Sequence, residues 1–304
     1  MSVYSLAFKY VASLMKKGDD KIHQNNIDRK DIKVTVCQFQ NKKKSNLLNV
    51  VQNQYSIKGQ LQPLIFDCHG GGYFYSDKDN NLYFNKWLAE KGYVVVAPSY
   101  TLLFKATIKQ MMQEIFEAFS YVLKHAEEYH IDLKNIYLTG DSVGAHLVFL
   151  LVAINQSDEL QKEFEVNQLP IQFKKIAVNN PVCYTERIQM VPDKPSIDKG
   201  AHKWLMKKLC GKRNSAHLYL YDACSIDKLI RYLQVIPPTF ITSSLGDTMF
   251  YSQAMDLEKL LTSNGHNVKT YVVPDKTFSH AYNVLAPDDE RSASVNQSLV
   301  DFFH

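Results

Sequence analysis

The hydrophobic pattern of the chain switches repeatedly between two periods. Short runs rich in Val, Ile, Tyr and Phe recur at "PLIFDC" (63–68), "YVVVAP" (93–98), "NIYLTG" (135–140), "KIAVNN" (175–180), "TFITSS" (239–244) and "VKTYVV" (268–273). Near-continuous apolar runs of this length suit strands buried on both faces. "VTVCQF" (34–39) and "VVQNQYSI" (50–57) predict a pair of strands ahead of them. Between the runs, apolar residues three and four apart predict helices over 80–91, 106–129, 143–155, 250–263 and 290–303. The alternation predicts an α/β fold, a mostly parallel central sheet of about eight strands flanked by helices.

Two segments stand outside this rhythm. Residues from about 184 to 236 carry helical patterns ("KWLMKKLC", "IDKLIRYL") and no strand, which reads as an insertion between two sheet strands. At the N-terminus, Val3, Leu6, Ala7, Tyr10, Val11 and Leu14 recur at helical spacing and predict an amphipathic helix packed on its own domain. Lys9 interrupts its apolar part and no small-residue cleavage site follows, so it does not read as a signal peptide. The expectation is one domain over 1–304, with 1–30 and 184–236 forming a helical cap. The alternative is that the insertion simply packs on the sheet edge. No run is long and apolar enough to span a bilayer.

Composition narrows the partners. The 304 residues are 45% hydrophobic and 22% charged, an ordinary globular balance with room for a large core. A net charge of +4 is mild, "NKKKS" (41–45) reads as a solvated loop, and no basic stripe interleaves with aromatics. Nucleic acid is therefore not an expected partner. Cys37, Cys68, Cys183, Cys210 and Cys224 are odd in number and form no CxxC. That argues against a disulfide framework or structural zinc and points to reduced thiols in the cytoplasm.

The chemistry starts at "TGDSVGAHL" (139–147), which holds G-x-S-x-G from Gly140 to Gly144. The motif follows a predicted strand and opens a predicted helix, the context of a nucleophile elbow, with Ser142 at the turn. A serine nucleophile needs a base, and the base needs an orienting carboxylate. Asp247 ends the strand-bearing run "ITSSLGD", and His280 lies in "VVPDKTFSHAYNV" after the last strand. In a parallel sheet both fall on the rim where strand ends converge. Asp256 and Glu258 lie inside the following helix, Asp275 is a rival third member in the histidine loop, and His266 precedes its strand. His146, one turn past Ser142, reads as structural.

"DCHGGGYFYS" (67–76) then acquires a purpose. Acyl transfer builds negative charge on a carbonyl oxygen, which needs preorganised N–H donors. Val143 N–H, just after the nucleophile, is one; Gly71 and Gly72, in the loop after the third strand, are the others. His69 and Gly70 support the loop. Alternatively, 69–72 is a plain turn and Ser142 a helix cap. A phosphate-binding loop is a second alternative, against which stand the missing P-loop lysine and the missing GxGxxG spacing.

The set "HGGGY" (69–73), "YHIDLKNIYLTGDSVGAHL" (129–147), "IPPTFITSSLGDTMF" (236–250) and "FSHAY" (278–282) resembles the hormone-sensitive-lipase-like branch of the α/β-hydrolase family over about residues 60–304. The resemblance implies a serine esterase with a helical cap, needing no cofactor or metal, and it allows a homodimer. This chain departs from the family pattern in three places. Tyr100 is followed by "TLLFK" instead of a run with arginine and proline, Tyr251 stands where an acid is common, and Ala145 replaces a glycine. "GAHL" is also similar to kynurenine-formamidase-like relatives. The expected function is a serine carboxylesterase acting on small-to-medium acyl or aromatic esters, with Tyr73, Phe74 and Tyr75 as a pocket wall. An amidase or formamidase on the same triad is the alternative, and a non-catalytic small-molecule binder a further one.

Overall fold

The computed structural model describes residues 3–40, 46–55, 60–187, 195–211 and 218–304. In chain order the elements are α1 (Val3–His23), β1 (Ile32–Gln38), β2 (Leu47–Asn53), β3 (Gln62–Cys68), α2 (Leu82–Glu90), β4 (Val94–Pro98) and α3 (Ile108–Lys124). Next come β5 (Ile131–Asp141), α4 (Val143–Gln156), α5 (Asp158–Phe164), β6 (Lys175–Asn179), α6 (Pro195–Cys210), α7 (Leu218–Asp222) and α8 (Ile226–Leu229). The chain closes with β7 (Thr239–Ser244), α9 (Tyr251–Ser263), β8 (Val268–Val273), α10 (Tyr282–Leu285) and α11 (Glu290–Phe303).

The strands form one sheet in the order β1-β2-β4-β3-β5-β6-β7-β8. β2 runs antiparallel to both β1 and β4, and from β4 to β8 every pairing is parallel. This is the expected α/β-hydrolase fold. The period of two divides each strand between two cores. Leu64, Phe66, Val94, Val96, Leu138, Ile176, Val178 and Ile241 point to the side covered by α3, α4 and α9. Ile65, Val95, Tyr137, Ala177 and Phe240 point to the side covered by α2 and α11. Because both faces are covered, the central strands read as unbroken apolar runs.

Boundaries differ where tertiary pairing overrides local pattern. β5 begins at Ile131 rather than 135, because Ile131 and Asp132 pair with Gln62 and Pro63 across an irregularity before Leu64. β2 occupies Leu47–Asn53, earlier than 50–57, since Leu47 pairs with Gln38; residues 56–57 of that expectation lie outside the described residues, as does the 41–45 run. α3 stops at Lys124, and "HAEEYH" continues as turns with His130 at φ 52°. α5 was not expected; Ser157 caps it by accepting from Leu160 N–H.

The segment 184–236 contributes α6, α7 and α8 and no sheet strand among its described residues. α1 lies beside it: the Phe8 ring stacks on Trp204 at 4.9 Å and meets Phe74 edge-on at 5.0 Å. No helix among the described residues is long and apolar enough to cross a membrane.

Candidate active site

Strand register brings the sequence-predicted residues to one rim. Cys68 pairs with Gly140, Asp141 with Asn179, Asn179 with Thr242, and Ser244 with Val273. The chain segments leaving these ends carry, in spatial order, the glycine loop, Ser142, Asn180, Asp247 and His280.

Ser142 sits between β5 and α4 at φ 54°, ψ −125°. A serine in that region carries backbone strain of about 1–3 kcal/mol, tolerated where surrounding structure dictates it. Here the turn is bonded on both sides: Ser142 N–H donates to Asn179 O at 2.9 Å, and Val182 N–H to Ser142 O at 2.9 Å. Gly144 is dictated by space, since a Cβ there would run into the Cys68 carbonyl.

Asp247 is 3% exposed and His280 faces it, Nδ1 to Oδ2 at 2.6 Å. Asn180 Nδ2 donates to the same Oδ2 at 2.9 Å, and Phe250 N–H to Oδ1 at 3.1 Å. Burial works to raise the Asp247 carboxyl; His280, then Asn180 and the Phe250 amide, outweigh it and hold the group below the usual carboxylate range. The Phe250 ring packs 4.9 Å from the imidazole. His280 Nε2 is buried and has no partner among the described residues.

The glycine loop is fixed by polar contacts behind it. Gly70 N–H donates to Asp141 Oδ1 at 2.9 Å, so that amide is already used. Gly71 has φ 95°, where an L side chain is disfavoured, and its carbonyl accepts from Tyr75 N–H at 2.9 Å. The Gly71 and Gly72 N–H groups have no protein partner among the described residues. His69 Nδ1 lies 2.9 Å from Gly70 O, its ring stacks on Tyr100 at 4.2 Å, and Tyr100 donates to His69 O at 2.9 Å. Burial lowers the His69 pKa, which favours the neutral ring.

Several functional neighbours escaped the sequence reading. Asn81 donates to Asp141 Oδ1 at 2.8 Å and to Asp67 Oδ2 at 3.1 Å, and Asn85 to Asp67 Oδ2 at 2.9 Å. Burial, reinforced by the Asp141 charge, pushes the Asp67 carboxyl up to about 7. From α1, Asp19 accepts from the Tyr75 hydroxyl at 3.1 Å, and burial pushes its carboxyl up to about 6. An aspartate inside "PLIFDC" and a doubled asparagine ending "KIAVNN" were the available signals for Asp67 and Asn180. Asp19 had none.

The expected pocket wall needs correction. Tyr73 is wholly buried, its hydroxyl between His146 Nδ1 and Thr185 Oγ1, each at 2.9 Å. His146 Nε2 donates to Ala223 O at 2.6 Å, and burial lowers its pKa to about 4, so the ring is neutral. Tyr73 is a clamp joining the glycine loop, α4 and the 184–236 segment. Phe74 lies under Phe8, and only Tyr75 stays partly open. The rival residues fall elsewhere: Asp256 pairs with Arg187 at 2.5 Å, and Asp275 is an exposed turn acid bonded to Thr277. Among the described residues no group of His, Cys, Asp and Glu is arranged to hold a metal.

Comparison with known proteins now decides the family. Residues 51–261 match the BD-FAE family model. The chain belongs to the BD-FAE family. It is 26% identical over 195 residues to an esterase of Gibberella moniliformis, covering 62% of this chain and 57% of that protein. It is 31% identical over 100 residues to an acetyl esterase of Salmonella schwarzengrund, covering 33% of this chain and 31% of the other. The alignments thus span less than two thirds of these curated relatives. Esterase B from Lactobacillus rhamnosis, in a crystal structure with a tributyrin phosphonate, superposes with a TM-score of 0.89 at 24% identity, over 99% of this chain and 94% of that one. This likeness establishes the shared fold of the BD-FAE chain and the esterase.

Proposed function

We propose that this BD-FAE family chain is a serine carboxylesterase with Ser142, His280 and Asp247 as its triad. The observation that carries the reading is the 2.6 Å Asp247–His280 pair on the same sheet rim as a strained elbow serine. Asp247 fixes the tautomer with Nδ1 protonated, which leaves Nε2 as the base. His280 Nε2 takes the hydroxyl proton as Ser142 Oγ attacks the ester carbonyl. The Gly71, Gly72 and Val143 N–H groups hold the oxygen that becomes negative. His280 then protonates the leaving alcohol, and water repeats the sequence on the acyl-enzyme. No step calls for a cofactor or a metal.

The relatives named as esterases favour an ester over an amide. The acetyl esterase and the tributyrin phosphonate point to short acyl groups. In this reading α1 and the 184–236 segment form the cap of a single domain: Phe8 and Asp19 on α1 touch Phe74 and Tyr75, directly after the oxyanion glycines. The test is a panel of p-nitrophenyl esters of increasing acyl length, with the matching anilides, on wild type and Ser142→Ala. Hydrolysis of short esters, much slower anilides and a silent variant are expected. Equal turnover by the variant, or preference for anilides, contradicts the proposal.

A further inference from the structure

We propose that the outward face of α1 docks on an anionic lipid bilayer. The helix is apolar on two sides. Phe8, Val11, Ala12 and Met15 pack inward against the core. The stripe expected to pack on the domain instead faces outward: Val3 is 80% exposed, Leu6 56%, Tyr10 67% and Leu14 48%. At about 100° per residue these four fall on one stripe along the helix. The next two positions of that stripe are Lys17 and Lys21, both exposed. Single exposed apolar residues need no explanation, but a continuous row of four does.

Charge identifies the occupant. The acids of the helix are engaged off the stripe: Asp19 receives the Tyr75 hydroxyl, and Asp20 pairs with Lys16 at 2.9 Å. Basic groups flank it. Lys9 sits 5.7 Å over the Phe104 ring and Lys208 5.9 Å over Trp204, the ring stacked on Phe8. Lys203 and Lys207, also on α6, are exposed. An apolar row continued and flanked by lysines is the arrangement of a helix lying in the headgroup region of an acidic membrane. A second copy of the chain fits less well. In a two-fold interface the same lysine-flanked face stands on both sides, so the flanking positive charges of the two copies repel. Docking would hold the glycine loop, which the inward side of α1 touches through Phe74 and Tyr75, about one helix diameter (~10 Å) from the bilayer and the esters dissolved in it. That last consequence rests on the esterase reading; the docking itself does not.

Co-sedimentation of the full chain tests it, with vesicles of phosphatidylcholine alone and of equal parts phosphatidylcholine and phosphatidylglycerol. Binding to the mixed vesicles is expected at low salt, at least about tenfold tighter than to the neutral ones, and lost at high salt. Leu6→Asp combined with Tyr10→Asp should abolish it, and Lys17→Glu with Lys21→Glu should weaken it, with folding of both checked by circular dichroism. Ser142→Ala should bind like wild type, which separates this result from the esterase reading. No binding to either vesicle, or equal binding by wild type and both altered proteins, overturns the proposal. So does a dimer in light scattering that Leu6→Asp with Tyr10→Asp dissociates, which would assign the face to a second copy.

Discussion

Asp67 stands inside β3, 1% exposed, with Asn81 and Asn85 donating to its Oδ2. Its carboxyl titrates at about 7 in the folded protein against an ordinary 3.8, because burial and the neighbouring Asp141 disfavour the charge. In the unfolded chain it ionises earlier. Between the two values the unfolded state has released a proton that the folded state retains, so raising the pH costs stability. The cost is absent below the ordinary value and complete above about 7. Each pH unit in the window is worth about 1.4 kcal/mol, so the wild type should lose about 2–3 kcal/mol through this residue between about pH 5 and pH 8. Asp67→Asn removes the titration and keeps an acceptor for both asparagines. Its fixed cost, an amide group facing Asn81, cancels when two pH values are compared. Urea unfolding of both proteins at the two pH values reads the effect. The variant should gain about 2–3 kcal/mol on the wild type as the pH rises. A gap that stays constant refutes the buried, protonated carboxyl.

Three further outcomes follow from the site. Asn180→Ala removes a donor from the Asp247 oxygen that holds His280; kcat should fall roughly fivefold to tenfold with KM little changed. Gly71→Ala places a Cβ 2.7 Å from the Tyr75 carbonyl carbon and 2.9 Å from Ser76 Cβ at φ 95°. The loop must move, and steady-state kinetics should show kcat lower by about 10²–10³. Tyr73→Phe strands the partners of a buried hydroxyl; thermal and urea unfolding should report a loss of about 1–3 kcal/mol, with any loss of activity arising through the clamp it breaks.

The strands were legible because the sheet is covered on both faces, so each central strand writes itself as an unbroken apolar run. The order of elbow, acid and histidine was legible for a related reason: each follows a strand, and parallel strands end on one rim. What stayed hidden depends on distance in sequence. Ile131 joins β5 only because Gln62 is there to pair with it. Asp19 meets Tyr75 across 56 residues, and Tyr73 meets Thr185 across 112. Neither contact has a local signature, and so Tyr73 read as a pocket aromatic when its hydroxyl in fact ties three segments together. Asn180 and Asp67 were visible as oddities, polar residues at or within apolar strands. Their partners were not, and the partners define their work.

The account turns on Ser142 being the one nucleophile that His280 activates. Stoichiometric treatment with a fluorophosphonate, followed by peptide mass mapping, tests this directly. One phosphonyl group should appear on Ser142, and it should be absent after Ser142→Ala and greatly slowed after His280→Ala. Labelling at another residue, or undiminished labelling of either variant, would contradict the assignment.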